Sequence, residues 1–284
     1  MTLSVAIPDT SLSDCSDLRE KTVKLGSMAR AFAVFRVEEV LIYETGNLEP
    51  KDQRDAGLIA KILRFMDTPQ YLRRRVFSKS ASLRYAGLLP PLRTRSHPLR
   101  SDDSALEGSV RWGVQTHPGK VDIGLERLVP FKSSVSKREP TLFKITRISP
   151  RIEMEIIDRS DLEIYWGFET HRSGRLSAIL KEYGDFTRVG FSRRAPSFSM
   201  IEEDLTATVT NTGSILAVFG DPAMGILDIY ADERNLIKSK IDFWVNSISN
   251  QGTETVRLEE ALFVSLGLLN HSLGLTISKT GYYT

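Results

Sequence analysis

Residues 242–270, DFWVNSISNQGTETVRLEEALFVSLGLLN, decide how the rest of the chain is read. Phe243, Trp244 and Val245 form a short apolar run that predicts a buried strand. A polar loop, Asn246 to Thr255, separates it from a helix. The apolar positions of that helix, Leu258, Ala261, Leu262, Ser265, Leu268 and Leu269, fall at i, i+3, i+4 spacing. Glu259 and Glu260 occupy its first turn, where the helix dipole favours negative charge, and Asn270 and Gly274 supply the stop. Within the loop, Gly252 lies among Asn250, Gln251, Thr253 and Thr255, small polar residues with exposed backbone donors. A strand, a polar loop and a helix start, in that order, predict a ligand site at the carboxyl edge of an α/β sheet.

Upstream, the same pattern occurs again. Ile215 to Phe219 is a strongly apolar strand that ends in Gly220-Asp221-Pro222-Ala223-Met224-Gly225, with Ile226 to Tyr230 following as extended chain. Glycines let backbone approach a ligand, and free amides in such loops bind the polar edge of an adenine or a carboxylate. Taken singly, each loop also reads as an ordinary turn. The N-terminal part predicts strand Leu3 to Ile7, a helix capped by Ser16 or Asp17 and running to about Phe35, strand Val40 to Tyr43, and a helix from about Gln53 to Asp67. That alternation is the mark of a parallel sheet with crossover helices.

Gly87, Pro90 and Pro91 close this pattern, and short alternating segments replace it: Val110–Val114, Val121–Ile123, Leu142–Ile148 and Ile152–Ile156. Several short strands in one stretch predict a small barrel or sandwich inserted in the α/β domain. Its aromatics Trp112, Phe131 and Phe143 read as core or as platforms for stacked bases. The α/β pattern returns after Gly167, with a helix to Gly184, strand Phe186 to Phe191, and Leu205 to Val209 as loop or the end of a short helix.

Composition narrows the function classes. Of 284 residues, 41% are hydrophobic and 26% charged, as in an ordinary globular protein. No apolar run reaches the roughly 18 residues needed to span a bilayer. The N-terminus lacks the charged start of a secretory signal, and Cys15 is alone, so the expected location is a reducing cytoplasm. Four scattered histidines (His97, His117, His171 and His271) predict no metal site. GxGxxG, GxxxxGK[ST] and nucleophile-elbow motifs are absent, which disfavours dinucleotide and P-loop chemistry. The net charge is only +2, yet Lys61 to Arg100 carries ten basic residues against Asp67 alone. Without interleaved acids, such a run suits a polyphosphate partner more than a solvated face.

Five segments, MARAFAVFRVEEVLIYE (Met28–Glu44), ILRFMDTPQYLRRRVF (Ile62–Phe77), YAGLLPPL (Tyr85–Leu92), LAVFGDPAMGI (Leu216–Ile226) and NQGTETVRLEEAL (Asn250–Leu262), give the chain a wider likeness. Together they resemble the SPOUT (α/β-knot) RNA methyltransferases, in the archaeal and eukaryotic branch whose catalytic domain carries an inserted OB-like β-barrel. The resemblance implies an α/β-knot domain over residues 1–89 and 167–284, with an RNA-binding barrel over 90–166. It further implies a trefoil knot, a homodimer with the active site at the subunit interface, and S-adenosylmethionine as cofactor.

The cofactor would contact Phe219, Gly220, Asp221, Pro222, Gly225, Ser247, Ile248, Asn250, Gln251, Gly252, Thr253 and Thr255. The catalytic candidates are Arg30, matched to an arginine of related families, and Glu254 and Arg257 beside the cofactor loop. Arg30 would hold the target nucleotide and stabilise charge on it, since a guanidinium is a poor base. Alternatively, it pairs with Glu38 or Glu39. Arg73, Arg74, Arg75, Lys79, Arg84, Arg93 and Arg95 would grip RNA. The expected activity is S-adenosylmethionine-dependent methylation of structured RNA, ribosomal first and transfer RNA second. The alternative is a non-catalytic RNA-binding or ribosome-assembly protein that retains the fold. Bulky residues at Gly220 and Gly252 would separate the two, abolishing activity and sparing RNA binding.

Overall fold

The computed structural model describes residues 1–46, 50–98 and 106–274. The described residues form two compact units: those within 1–63, 85–90 and 168–274 make one, and those within 64–84 and 91–167 the other. Arg100, the last member of the basic run, lies outside the described residues.

The first unit is built on six strands: β1 (Thr2–Pro8), β2 (Glu39–Glu44), β8 (Glu169–Arg175), β9 (Thr187–Phe191), β10 (Ser214–Val218) and β11 (Phe243–Val245). Their order is β11-β9-β10-β1-β2-β8, and every pairing is parallel. The interior strands are near-continuous apolar runs, as burial on both faces requires. Side-chain alternation divides the core. Ala6, Leu41, Tyr43, Leu216 and Val218 pack with Leu176, Ile179 and Leu180 of α4 (Leu176–Glu182), Ile226 of α6 (Ile226–Ile229) and Ile237 of α7 (Arg234–Lys240). The intervening residues, Val5, Ile7, Ile215 and Ala217, are equally buried. Three longer helices, α1 (Leu18–Val34), α5 (Phe198–Thr212) and α8 (Leu258–Ser272), pack together, α8 touching both of the others. Asp17 caps α1, its carboxylate accepting from the Glu20 amide at 2.8 Å.

In the second unit, β3 (Val110–His117), β4 (Lys120–Asp122), β5 (Val129–Pro130), β6 (Thr141–Arg147) and β7 (Glu153–Ile156) form an antiparallel sheet in the order β5-β4-β3-β6-β7. Helix α2 (Pro50–Asp67) runs into this unit, and α3 (Gln70–Val76) packs on the sheet. Leu72, with Tyr71 and Val76, meets Trp112, Val114, Leu142 and Trp166, and the Tyr71 hydroxyl donates to the Trp112 carbonyl at 2.9 Å. A second cluster joins Val121, Ile123, Val129, Phe143 and Ile145, with Phe131 edge-on to Phe143 at 5.1 Å. Trp112 and Phe143 are thus core residues, and their rings are not open to bases.

The architecture is mixed α/β, with a parallel sheet and a separate antiparallel one. Several elements differ from the sequence reading. Residues 226–229 are a helical turn, not extended chain, because the Gly225 carbonyl accepts from the Asp228 and Ile229 amides. Leu205 to Val209 lies inside a 15-residue helix that ends on Gly213 at φ 69°, the left-handed cap glycine favours. Strand β8 has no apolar alternation and forms by pairing with β2 at the sheet edge. In β7 the alternation is imperfect: Met154 packs inward while Ile156 is exposed.

Candidate functional site

The chain segments leaving β9, β10 and β11, three adjacent strands, enclose a cavity of about 230 Å³ at their carboxyl ends. Open α/β sheets place ligands at this edge. The β10 segment contributes Phe219 to Gly225, the β11 segment Asn246, Ser247, Ile248, Gln251, Thr255 and Val256, and α8 adds Leu258 and Ala261. The β9 segment supplies Phe191, Ser192, Arg193 and Arg194.

Each loop is held by its own sequence. Asp221 accepts from the Ala223 and Met224 amides at 2.7 and 2.5 Å through one oxygen, and from the Thr10 hydroxyl at 3.1 Å through the other. Its own amide donates to the Met224 carbonyl at 3.0 Å, closing a tight turn. That turn presses on Gly220, where an added Cβ would lie 2.8 Å from the Met224 oxygen and 3.1 Å from the Ile226 nitrogen. Phe219 stacks on Phe191 at 4.7 Å, and its carbonyl accepts from the buried Tyr43 hydroxyl at 2.6 Å. Burial pushes the Tyr43 phenol well above its ordinary range, so it stays a proton donor.

In the third loop, the Asn246 side chain donates to the Arg193 carbonyl at 3.0 Å and accepts from the Ile248 amide at 3.0 Å. Ser247 bonds the fully buried Ser265 hydroxyl of α8 at 2.8 Å. Gln251 donates to the carbonyls of Thr253 and Glu254, and Arg193 reaches the same Glu254 carbonyl at 3.2 Å. Arg193 therefore straps the β9 loop to the β11 loop.

Nine of the twelve expected cofactor contacts line the cavity: Phe219, Gly220, Asp221, Pro222, Gly225, Ser247, Ile248, Gln251 and Thr255. Asn250, Gly252 and Thr253 lie in the same loop but outside the lining. A Cβ added at Gly252 would meet nothing within 4 Å. The three catalytic candidates are not among the lining residues either. Arg30 is half-buried on α1, Glu254 contributes its carbonyl to the loop, and Arg257 is the N-cap of α8, its amide donating to Glu260 at 2.9 Å. Sequence reasoning missed Arg193, Arg194 and Asp228, which line the cavity. A signal existed, because GFSRRAP repeats the pattern of apolar strand followed by polar loop.

All seven expected RNA-contacting residues belong to the second unit. Arg74, Arg75, Lys79, Arg84, Arg93 and Arg95 are exposed. Arg75 is paired with Asp122. Arg73 is turned inward. Its guanidinium lies 4.6 Å from the Phe65 ring centroid and donates to the carbonyls of Thr68 and Met66 at 2.9 and 3.1 Å. Burial pushes its pKa down to about 10.

A cavity enclosed by glycine-bearing and polar loops at the carboxyl ends of parallel strands defines an α/β protein built to take a small ligand at that edge. The model of the family described as "Putative RNA methyltransferase" matches residues 2–269, and the chain belongs to that family. It is a methyltransferase, an enzyme of the transferase class, and RNA is its substrate. The sequence is 31% identical to an uncharacterized protein of Halobacterium salinarum, over 95% of this chain and 99% of that one. It is 30% identical to an uncharacterized protein of Haloarcula marismortui, with the same coverage of each. A human protein named 28S rRNA (uridine-N(3))-methyltransferase is 28% identical over 96% of this chain and 78% of its own length. Among the described residues, no helix is long and apolar enough to cross a membrane.

Proposed function

We propose that this chain transfers a methyl group from S-adenosylmethionine to N3 of a uridine in large-subunit ribosomal RNA. The observation that carries the reading is the cavity itself, formed by the same two loops, 219–225 and 246–255, that the sequence marks as a cofactor site. The named activity of the human, mouse and fruit-fly relatives supports the choice of nucleotide and RNA.

The lining suits the cofactor's chemistry. Backbone carbonyls of the 220–223 turn, which the bonds holding the loop do not use, fit the amino group on the polar edge of an adenine, and Ile248, Val256, Leu258 and Ala261 offer an apolar wall. Asp221 complements a sulfonium or an ammonium group, and Arg193 a carboxylate. Bound there, S-adenosylmethionine supplies an electrophilic methyl group, and the chain's work is to place the acceptor atom in line with it. Gly220 permits the close backbone approach, while Arg193 and Asn246 hold the loops in place. Arg30 and Arg257 belong to the reading as orienting residues.

The same reading takes the parallel sheet with α8 as a trefoil-knotted SPOUT domain, the antiparallel unit as an OB-like RNA-binding barrel, and the active form as a homodimer. The basic residues of 74–95 would contact phosphates, and transfer RNA is the alternative to ribosomal RNA as the substrate. The non-catalytic alternative loses ground to the family membership.

Calorimetric titration with S-adenosylmethionine and its demethylated product tests the proposal. Saturable micromolar binding, weakened at least tenfold by Gly220→Ala, is the expected result. Absence of binding, alone and with unmodified ribosomal RNA present, would sink it.

A further inference from the structure

The geometry points to Asp228 as the catalytic residue that takes the proton from N3 of the target uridine. This inference rests on the uridine-N3 reading, in which the acceptor nitrogen carries a proton that must leave as the methyl arrives. Among the described residues lining the cavity there is no histidine, lysine, cysteine, tyrosine or glutamate, and the carboxylates are Asp221 and Asp228. Both Asp221 oxygens are engaged in holding the loop, two backbone amides on one and the Thr10 hydroxyl on the other.

Asp228 differs. It lies in the first turn of α6, and an added Cβ on Gly225 would stand 3.3 Å from its Oδ2. Its hydrogen-bond partner is Arg194, whose Nη1 is 3.3 and 3.4 Å from the two oxygens, long for a charge-assisted bond. Arg234 approaches no nearer than 4.0 Å, and among the described residues these two guanidiniums are the charged groups paired with the carboxylate. The Arg194 side chain is 66% exposed, so it remains open to a phosphate. When an RNA phosphate takes that guanidinium, the carboxylate's lone pairs are released beside the bound base. Seating the RNA and freeing the proton acceptor then become one event.

The step balances. N3 of the uracil forms a bond to the methyl carbon, the bond from methyl to sulfonium sulfur breaks with its electron pair left on sulfur, and the N3 proton passes to the Asp228 carboxylate. Release to solvent restores the carboxylate.

Asp228→Asn tests this, using the full chain, S-adenosylmethionine and large-subunit ribosomal RNA transcribed in vitro and therefore unmodified. Expected is a fall in kcat at neutral pH of about 100-fold or more, the usual loss for a general base. The defect should shrink as pH rises toward the imide's own ionisation, and also with 5-fluorouridine transcripts, whose N3–H is more acidic. Calorimetric affinity for S-adenosylmethionine and equilibrium RNA binding should stay within threefold of the unmodified chain. Asp228→Glu should recover part of the rate.

A kcat within threefold of the original at neutral pH overturns the assignment, as does a defect independent of pH. Loss of cofactor affinity would make Asp228 a cofactor ligand, which also overturns it while leaving the pocket reading intact. Failure of the unsubstituted chain to bind cofactor would instead defeat the underlying reading.

Discussion

A methyl group added at Gly220 would stand 2.8 Å from one backbone oxygen and 3.1 Å from one backbone nitrogen, so the 220–226 turn has to open to admit it. Overpacking of this kind costs about 1–3 kcal/mol. Gly220→Ala should therefore lower both thermal stability and cofactor affinity, in a calorimetric scan and a titration respectively. Gly252→Ala should behave differently. Its site is open and its φ is not in the left-handed region, so stability should stay within about 0.5 kcal/mol and cofactor affinity within threefold. Equal damage from both substitutions would contradict the structure. The sequence treats these glycines alike, each in a polar loop before a helix, because what separates them is proximity to atoms several residues away. Asp221 was legible as a loop residue, whereas Arg194 and Asp228 were not legible as neighbours. One follows β9 and the other sits on α6, and only the placing of β9 beside β10 brings them within 3.4 Å.

Elements were readable where burial imposes a simple period, as in β1, β10 and α8, whereas β11, read as a buried strand, is a sheet-edge strand with Phe243 and Trp244 only half-buried. They were obscure where another force builds the element. Helix α5 is rich in threonine, a weak helix former, and Thr206, Thr208 and Thr210 each return a hydroxyl bond to the carbonyl four residues back, which satisfies the hydroxyl without strengthening the helix, so packing has to hold it. Phe198, Leu205 and Val209 then anchor it to the core. The N-terminus of α8 is fixed by charge. Lys24 of α1 is 4% exposed, bonds both oxygens of Asp14 at 2.6 and 2.7 Å, and lies 3.3 Å from Glu259 in the first turn of α8. The Glu259 contact is electrostatic, without hydrogen-bond alignment. Removing this cation takes away the charge that Asp14 and Glu259 share. Lys24→Met should cost roughly 3 kcal/mol in urea unfolding. Because Leu258 and Ala261 of the same helix line the cavity, cofactor affinity should fall with it. An unchanged midpoint would show that Asp14 and Glu259 are held by solvent instead.

At the scale of the whole molecule, the cavity residues all belong to the first compact unit and the exposed basic residues of 74–95 to the second. The run of positive charge was plain in the sequence. What the sequence could not show is that residues 64–84 fold with the antiparallel sheet, since this depends on Tyr71 and Leu72 meeting Trp112 and Trp166. Nor could it show which charges point outward. Arg73, in the middle of the run, is consumed by Phe65 and two carbonyls. The two ligand affinities should therefore separate by mutation. Replacing Arg74, Lys79 and Arg95 together by glutamine should weaken RNA binding and reduce the slope of log affinity against log salt by about 2, at roughly 0.7 for each phosphate that is no longer neutralised. Affinity for S-adenosylmethionine, measured on the same protein without RNA, should not move. Arg73→Gln should do the reverse, lowering stability while leaving the salt slope nearly unchanged, because its guanidinium holds protein carbonyls. If the triple variant keeps its full salt slope, the phosphates are gripped elsewhere, and the exposed run is a solvated surface.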